Sequence, residues 1–302
     1  MKQFAILSDS CCDLSKENRE KYGIDYLPMH VLYDDKGVQK DIPADLDWQE
    51  LGFKQFYDMM RAGVRFRTAQ VNAPEFEAVF EKYAEEGKDV LYISCSTALS
   101  NSYKQSLMAK EAVLAKYPEA KIFCVDSLNS CHGLGVLCLA AADMRAEGKS
   151  AEEAAEYLEQ HKLEANQIVT VDSLTYLKRA GRVSAVSAVF GGLLQVKPIL
   201  ISDVTGQNLA VEKVKGRKNS LVRIADMVAQ TITEHDYQRL FVVHADCEDE
   251  AIILRDLIKV RLAGKDIEID IQPIGPIIGA SAGPGTIGAY FFGKEVTVGG
   301  NK

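Results

Sequence analysis

The 302-residue chain has no apolar run approaching the roughly 18–20 residues of a membrane span. It also lacks the apolar stretch of about 7–15 residues that a secretory leader needs, since Phe4-Ala5-Ile6-Leu7 gives way at once to Ser8-Asp9. These two absences predict a cytoplasmic protein with no stable membrane insertion. Basic residues are in deficit: 35 Lys and Arg stand against 43 Asp and Glu, a net charge of −8. No basic stripe offsets the deficit, which excludes nucleic acid as an expected partner and disfavours anionic membrane surfaces. The seven cysteines include no C-x-x-C pair, and Cys95, Cys124, Cys131, Cys138 and Cys247 lie in apolar or strand-like settings. A disulfide frame or a zinc site is therefore not expected. No Walker lysine accompanies Asp9, Asp13 and Asp126, so a Mg²⁺ site is not expected either; Asp13 reads as a helix N-cap or first-turn acid. Long linkers, internal repeats and low-complexity tracts are missing too.

What is present is an ordinary globular composition of 47% hydrophobic and 26% charged residues. At about 150 residues per domain the length suggests two domains. The first half alternates apolar runs with helical patterns. Extended runs fall at residues 4–7, 27–33, 90–93 and 122–125, and helical spacing at 48–61, 75–86, 103–117 and 134–146. Ser150 and Glu153 form a capping box that opens a further helix to about His161. This alternation predicts an α/β domain over residues 1–164, three-layer α/β/α with a parallel sheet. The second half, residues 165–302, mixes a strand at 168–171, short helices within 174–194, and a hairpin of 198–201 with 209–214 about the turn 203–206. Helices at 220–233 and 250–262, strands at 240–243 and 267–271, and a Gly- and Pro-rich tail at 275–288 follow. That order predicts an α+β domain with a mixed sheet.

Two motif matches sit in the tail. Gly279-Ala280-Ser281-Ala282-Gly283 has the G-x-S-x-G form of a nucleophile elbow, but the hydrolase order places the base histidine after the serine, and the last histidine here is His244. Gly283-Pro284-Gly285-Thr286-Ile287-Gly288 has the G-x-G-x-x-G form, yet too little chain follows for a βαβ unit. These glycines are expected to let a loop turn tightly and approach something closely. More informative is Ser94-Cys95-Ser96-Thr97-Ala98-Leu99-Ser100-Asn101-Ser102-Tyr103, which joins a buried strand to a helix. Ser100 or Asn101 suffices as a cap. The surplus of hydroxyls at a helix N-terminus suggests a donor-rich cradle for a carboxylate or phosphate. Thr68 ends a polar loop and can add a donor, and Lys178-Arg179-Ala180-Gly181-Arg182 offers cations in a break between helices.

In order along the chain these segments resemble the DegV family. Asp9-Ser10 with Asp13-Leu14 resembles its D-S-x-x-D-L, Thr68-Ala69-Gln70 its T-S-Q-P-S, and Ser96 to Tyr103 its S-S-x-L-S-G-T-Y. Asp126-Ser127 with Gly133 and Gly135 is similar to its D-S…G-x-G run, and Tyr176 to Arg182 to its Y-L-K-K-G-G-R. Lys197-Pro198-Ile199-Leu200, His244-Ala245 and Gly283-Pro284-Gly285 complete the series. The resemblance implies a two-domain, non-catalytic protein that holds a long-chain fatty acid between its domains, with no cofactor. It implies a partner, the kinase subunit of fatty acid kinase, that phosphorylates the bound carboxylate and feeds phospholipid synthesis. By position the carboxylate would meet Thr68, Ser96 and Thr97, with Arg182 nearby and the loop carrying Ser281 closing over it. Four positions depart from the family pattern: Ala69 replaces a Ser, Thr97 a Ser, Asn101-Ser102 a Gly-Thr, and Ser281 a His. The last removes a proton donor from the site. Apolar pocket walls are expected from residues 134–142 and 185–194. A second reading is a phosphotransferase-like enzyme acting on a small polar substrate, because the family's fold is similar to that of a dihydroxyacetone kinase domain. Such an enzyme would use His132 or His244 facing the cleft.

Overall fold

The computed structural model describes residues 4–183 and 195–299. The first half is built on a parallel sheet of β1 (Ala5–Asp9), β2 (Ile24–Leu27), β6 (Val90–Ser94) and β7 (Ile122–Asp126), in the order β2-β1-β6-β7. A smaller antiparallel sheet is inserted between β2 and β6. Its strands are β3 (His30–Asp35), β4 (Val38–Pro43) and β5 (Arg67–Ala69), in the order β4-β3-β5. Helices α1 (Lys16–Tyr22), α2 (Phe53–Arg61), α3 (Ala73–Glu85), α4 (Ser102–Lys116), α5 (His132–Ala146) and α6 (Ala151–His161) complete this half.

The second half carries a six-stranded mixed sheet. Its strands are β8 (Ala165–Thr170), β9 (Val196–Ser202), β10 (Asn208–Lys215), β11 (Leu240–His244), β12 (Ile269–Pro273) and β13 (Ile287–Phe292), in the order β10-β9-β8-β13-β11-β12. Only β11 and β12 run parallel; the other neighbours are antiparallel. Helices α7 (Thr175–Ala180), α8 (Arg217–Thr231), α9 (Glu248–Arg261) and α10 (Pro276–Ala282) accompany it. The α/β class with a parallel and a mixed sheet is as the sequence predicts.

Helix α5 explains how the halves join. An amphipathic helix covers one layer with one face, but residues 133–142 of α5 are apolar on every side and all buried. A helix buried all round must lie between two layers. It packs on β1 and β6 of the parallel sheet and on β8 and β13 of the mixed sheet. The main core accordingly runs from Phe4 and Ile6 through Leu134 and Leu137 to Tyr290 and Phe292. A second core, with Leu221, Ile224, Leu254 and Ile258, lies beneath α8 and α9.

Several local expectations are corrected. The helix expected at 48–61 begins only at Phe53. Trp48 sits in a left-handed turn with φ of 57° and packs on Phe53 and Phe56 from outside the helix. Its apolar phase is right, but Gly52 breaks the helix. Asp13 is not a helix N-cap; Ser15 caps α1, and Asp13 closes the preceding 3₁₀ turn at φ 54°. The tail 275–288 is not a loop: it contains α10 and opens β13, a central strand. Residues 279–283 accordingly form the end of a helix, not a strand-to-helix elbow. The short helices expected within 174–194 are represented by α7, and the portion from 184 onward lies outside the described residues.

The capping box at α6 is present as expected. Ser150 Oγ accepts from Glu153 N–H at 3.2 Å, and the Glu153 carboxylate accepts from Ser150 N–H at 2.8 Å. Ser150→Ala is expected to lower stability by about 1 kcal/mol, read as a lower urea midpoint with an unchanged slope. An unchanged midpoint would show that the box contributes nothing to global stability.

Candidate functional site

The loops leaving β1 and β6 meet over a buried carboxylate. Asp9 accepts from the backbone N–H groups of Cys11 (2.9 Å) and Cys95 (3.0 Å) and from the Tyr92 hydroxyl (3.0 Å). Burial nevertheless raises its pKa above the ordinary carboxylate value. This clamp orients the loop that follows β6. Ser96 N–H donates to Asn129 O (2.8 Å), and Ser96 Oγ accepts from Ala98 N–H (3.2 Å). The turn of the β9–β10 hairpin presses on the same loop. At Gly206, with φ of 78°, a Cβ would stand 2.1 Å from Ser96 Oγ, so only glycine fits.

A cavity of about 670 Å³ opens beside this loop, between the two halves of the chain. That size lies within the range of about 300–1,000 Å³ usual for small-molecule sites. Its apolar wall includes Met29, Val169, Val171, Leu177, Leu200 and Ile277. Its polar side includes Thr68, Gln70, Thr97, Ser100, Asn101 and Ser281. Arg182 is the sole charged lining side chain among the described residues. Its guanidinium donates to the carbonyls of Leu99 (3.3 Å) and Ala180, and no described carboxylate pairs with it.

Of the five binding residues expected from sequence, Thr68, Thr97, Arg182 and Ser281 line this cavity. Ser96 does not; it is fully buried under Gly206. Thr97 has a second obligation. Its N–H donates to Asp126 Oδ1 (3.2 Å) and its hydroxyl to Asp126 Oδ2. The hydroxyl therefore offers a visitor only its lone pairs. Asn101 precedes α4 but makes no side-chain cap bond; Ser100 Oγ instead accepts from Ser102 N–H at 3.3 Å.

The apolar wall expected from residues 134–142 is also corrected. None of them lines the cavity, because α5 is committed on all sides to the two sheets. The wall comes instead from β8, β9, α7 and α10, with Thr286 just before β13 and Tyr290 in its middle. Residues 185–194 lie outside the described residues. Sequence reasoning missed Gln70, Gln167, Asn208 and Tyr290. The last three sit on strands, where the alternate face is polar or aromatic and carries no recognisable motif.

Neither candidate catalytic histidine lines the cavity. His132 is fully buried against Phe241, with ring centroids 4.7 Å apart, and burial lowers its pKa to about 3. His244 is also lowered by burial, and its Nδ1 accepts from Cys247 N–H at 3.4 Å. Among the described residues, two groups of His, Cys, Asp and Glu side chains have ligand atoms close enough to share one ion: Asp13, Cys131 and His132, and His161, Glu164 and His235. The first trio is buried. In the second, His235 Nδ1 accepts from Tyr237 N–H (3.2 Å), which leaves the ring proton on Nε2, the atom facing Glu164.

The sequence pattern of the DegV family, described as uncharacterised proteins, matches residues 3–294. The chain belongs to the DegV family. A DegV domain-containing protein of Clostridium perfringens is 38% identical over 293 residues, 97% of this chain and 98% of that protein. DegV from Bacillus subtilis, solved as a fatty acid binding protein, is 26% identical with a TM-score of 0.80, covering 97% of this chain and 100% of its own. A stearic acid-binding protein from Eubacterium ventriosum is 25% identical with a TM-score of 0.84, covering 98% of this chain and 100% of its own. This DegV chain has no helix, among the described residues, long and apolar enough to cross a membrane.

Proposed function

We propose that the protein binds a long-chain fatty acid between a domain of residues 1–164 and one of residues 165–302, and presents its carboxylate without transforming it. The observation that carries this reading is the cavity itself, apolar along one wall and charged at one point, Arg182, which lacks a carboxylate partner among the described residues. The solved relatives that bind fatty acids support it. The acyl chain lies along Val169, Leu177, Leu200 and Ile277, each buried CH₂ contributing about 0.8 kcal/mol. The carboxylate sits toward Thr68, Ser281 and Arg182. It keeps away from Asp126, whose negative charge already takes the Thr97 hydroxyl proton. Ser96 lies too deep to donate directly.

The protein then acts as a carrier whose bound carboxylate is phosphorylated by a kinase partner. No histidine among the described cavity residues can serve as base or phosphoryl acceptor, so the chain lacks the group that the phosphotransferase reading requires there. Native mass spectrometry of protein purified without delipidation tests the proposal. The expected result is a mass excess that solvent extraction identifies as a long-chain fatty acid. Palmitate or oleate at a hundredfold excess over Kd should also stabilise the stripped protein by about 2.7 kcal/mol. No mass excess and no stabilisation would overturn it.

A further inference from the structure

Three sulfur atoms meet on the wall of the cavity, from parts of the chain that are distant in sequence. Cys11 follows β1, Cys95 follows β6, and Met29 lies in the short link between β2 and β3. All three are buried, and all three line the cavity. The Asp9 carboxylate brings the two cysteines together, since it accepts from the backbone N–H of each. Their thiols hydrogen-bond to one another, and Cys11 Sγ stands 3.5 Å from Met29 Sδ. That thiol–thiol bond and burial push the Cys11 thiol well up; Cys95 is lowered by the same bond and raised on balance by burial. The carboxylates of Asp9 and Asp13 add negative potential at both sulfurs. Both cysteines are free thiols. No C-x-x-C marks the pair, because its members leave two neighbouring strands of the parallel sheet.

Thiolate and thioether sulfurs are soft ligands, and a cluster made only of them selects a soft metal ion over Mg²⁺, Ca²⁺ or Mn²⁺. Zinc takes four ligands in a tetrahedron, one more than the cluster holds. A soft monovalent ion is satisfied by two or three sulfurs. An ion about 2.3 Å from each sulfur holds the sulfurs about 4 Å apart in a trigonal arrangement. Met29 needs to withdraw only slightly to reach that spacing, and its unbranched, three-rotor side chain allows it. We propose that Cys11, Cys95 and Met29 form a binding site for a soft monovalent cation, copper(I), entered through the cavity. As the ion arrives the two thiols give their protons to solvent, and the ion supplies the positive charge that lets two thiolates form beside Asp9. The copper stays in its monovalent state throughout. This site does not depend on the fatty-acid reading.

The test is an anaerobic titration of the reduced protein with copper(I) held by the chelator bicinchoninate. The unaltered chain is expected to take one equivalent from the chelator and to develop a thiolate-to-metal charge-transfer band in the ultraviolet. Cys11→Ala and Cys95→Ala should each weaken binding by more than the roughly 10–100-fold that loss of an outer-sphere partner costs. Met29→Leu keeps the volume and should weaken binding by less than either. Cys124→Ala, in β7 and outside the cavity lining, should leave copper uptake unchanged. Copper K-edge absorption on the unaltered protein needs no variant to fold. It should show two or three sulfur neighbours at about 2.3 Å and no lighter ones. Nitrogen or oxygen neighbours would overturn the proposal, and so would no uptake of copper, or equal losses in Cys124→Ala and Cys11→Ala. Whether palmitate binds decides the fatty-acid reading separately.

Discussion

Gly288→Val is expected to destabilise the protein by about 3 kcal/mol or more and to abolish the proposed acyl-ligand binding together. Gly288 lies in β13 between its two partners, opposite Val169 on one side and Val243 on the other. A Cβ there would stand 2.6 Å from Ile168 O and 2.8 Å from Val169 Cα. Those are backbone atoms of β8 and cannot rotate away, so β13 must leave its register or β8 must move. Overpacking of this kind usually costs 1–3 kcal/mol and more where backbone is involved, out of a total stability on the order of 5–15 kcal/mol. Thr286 and Tyr290, two residues to either side, both line the cavity, as does Val169. The same displacement therefore opens the pocket wall. A urea melt and native mass spectrometry read the two effects. An unchanged midpoint would show that the strand accommodates the side chain, and lost stability with retained ligand would show that the wall does not depend on β13.

Asp13→Asn is expected to stabilise the protein at pH 8 and not at pH 4–5. Both carboxylate oxygens of Asp13 are buried without a well-formed hydrogen bond, and the nearby Cys131 thiol and Gly275 backbone only partly offset the cost of burying its charge. Burial pushes its pKa from an ordinary 3.8 up to about 7. The native state therefore holds the proton more tightly than the unfolded chain does. Below about pH 4 both states are protonated and nothing is lost. Between there and about pH 7 the unfolded chain releases its proton first, and stability falls; above that the loss levels off. Three pH units correspond to roughly 4 kcal/mol. The asparagine escapes this loss but leaves a buried amide unsatisfied, at a cost of about 1–3 kcal/mol. The net gain at pH 8 is about 1–3 kcal/mol, and the left-handed backbone at φ 54° suits asparagine. Thermal melts of both proteins across pH 4–8 check this. An equal difference in midpoint at every pH would show that Asp13 does not titrate in this range.

The sequence was readable where burial is continuous or periodic. Val90 to Ile93 is an unbroken apolar run, and so is most of α5; the central strands and the long helices of the first half follow from such runs, whereas α1, Lys16–Tyr22, buries no residue and leaves no such signal. It was unreadable where a residue serves the fold by being small. The β13 sequence Ile-Gly-Ala-Tyr-Phe-Phe follows Gly283-Pro284-Gly285, and the glycines mask a central strand as a turn. The small sheet was missed because β4, Val38–Pro43, is mostly exposed and polar, leaving no apolar period to detect. The site divides the same way. Thr68, Thr97 and Arg182 stand out in the sequence as polar groups at strand and helix ends, Ser281 stands out at the carboxylate only through the family resemblance, and all four line the cavity. Ser96 looks the same in sequence, and only the hairpin turn at Gly206 shows why it is held off the cavity wall. The wall was misplaced because α5 is apolar for a different reason: it has two sheets to face.

The strand order of the mixed sheet also bears on biosynthesis. A ribosome releases β8, β9, β10, β11 and β12 before β13, yet β13 lies between β8 and β11. Until it arrives, the growing sheet exists as two separate ribbons, β10-β9-β8 and β11-β12, each with an unpaired edge. The first half has no such debt, since β2, β1, β6 and β7 are complete by Asp126 and can fold as a unit while the rest is being made. The pocket wall formed by Thr286 and Tyr290 is thus made after every other strand of the mixed sheet. A nascent chain short of β13 carries its hydroxyl loop with nothing opposite it to enclose a tail.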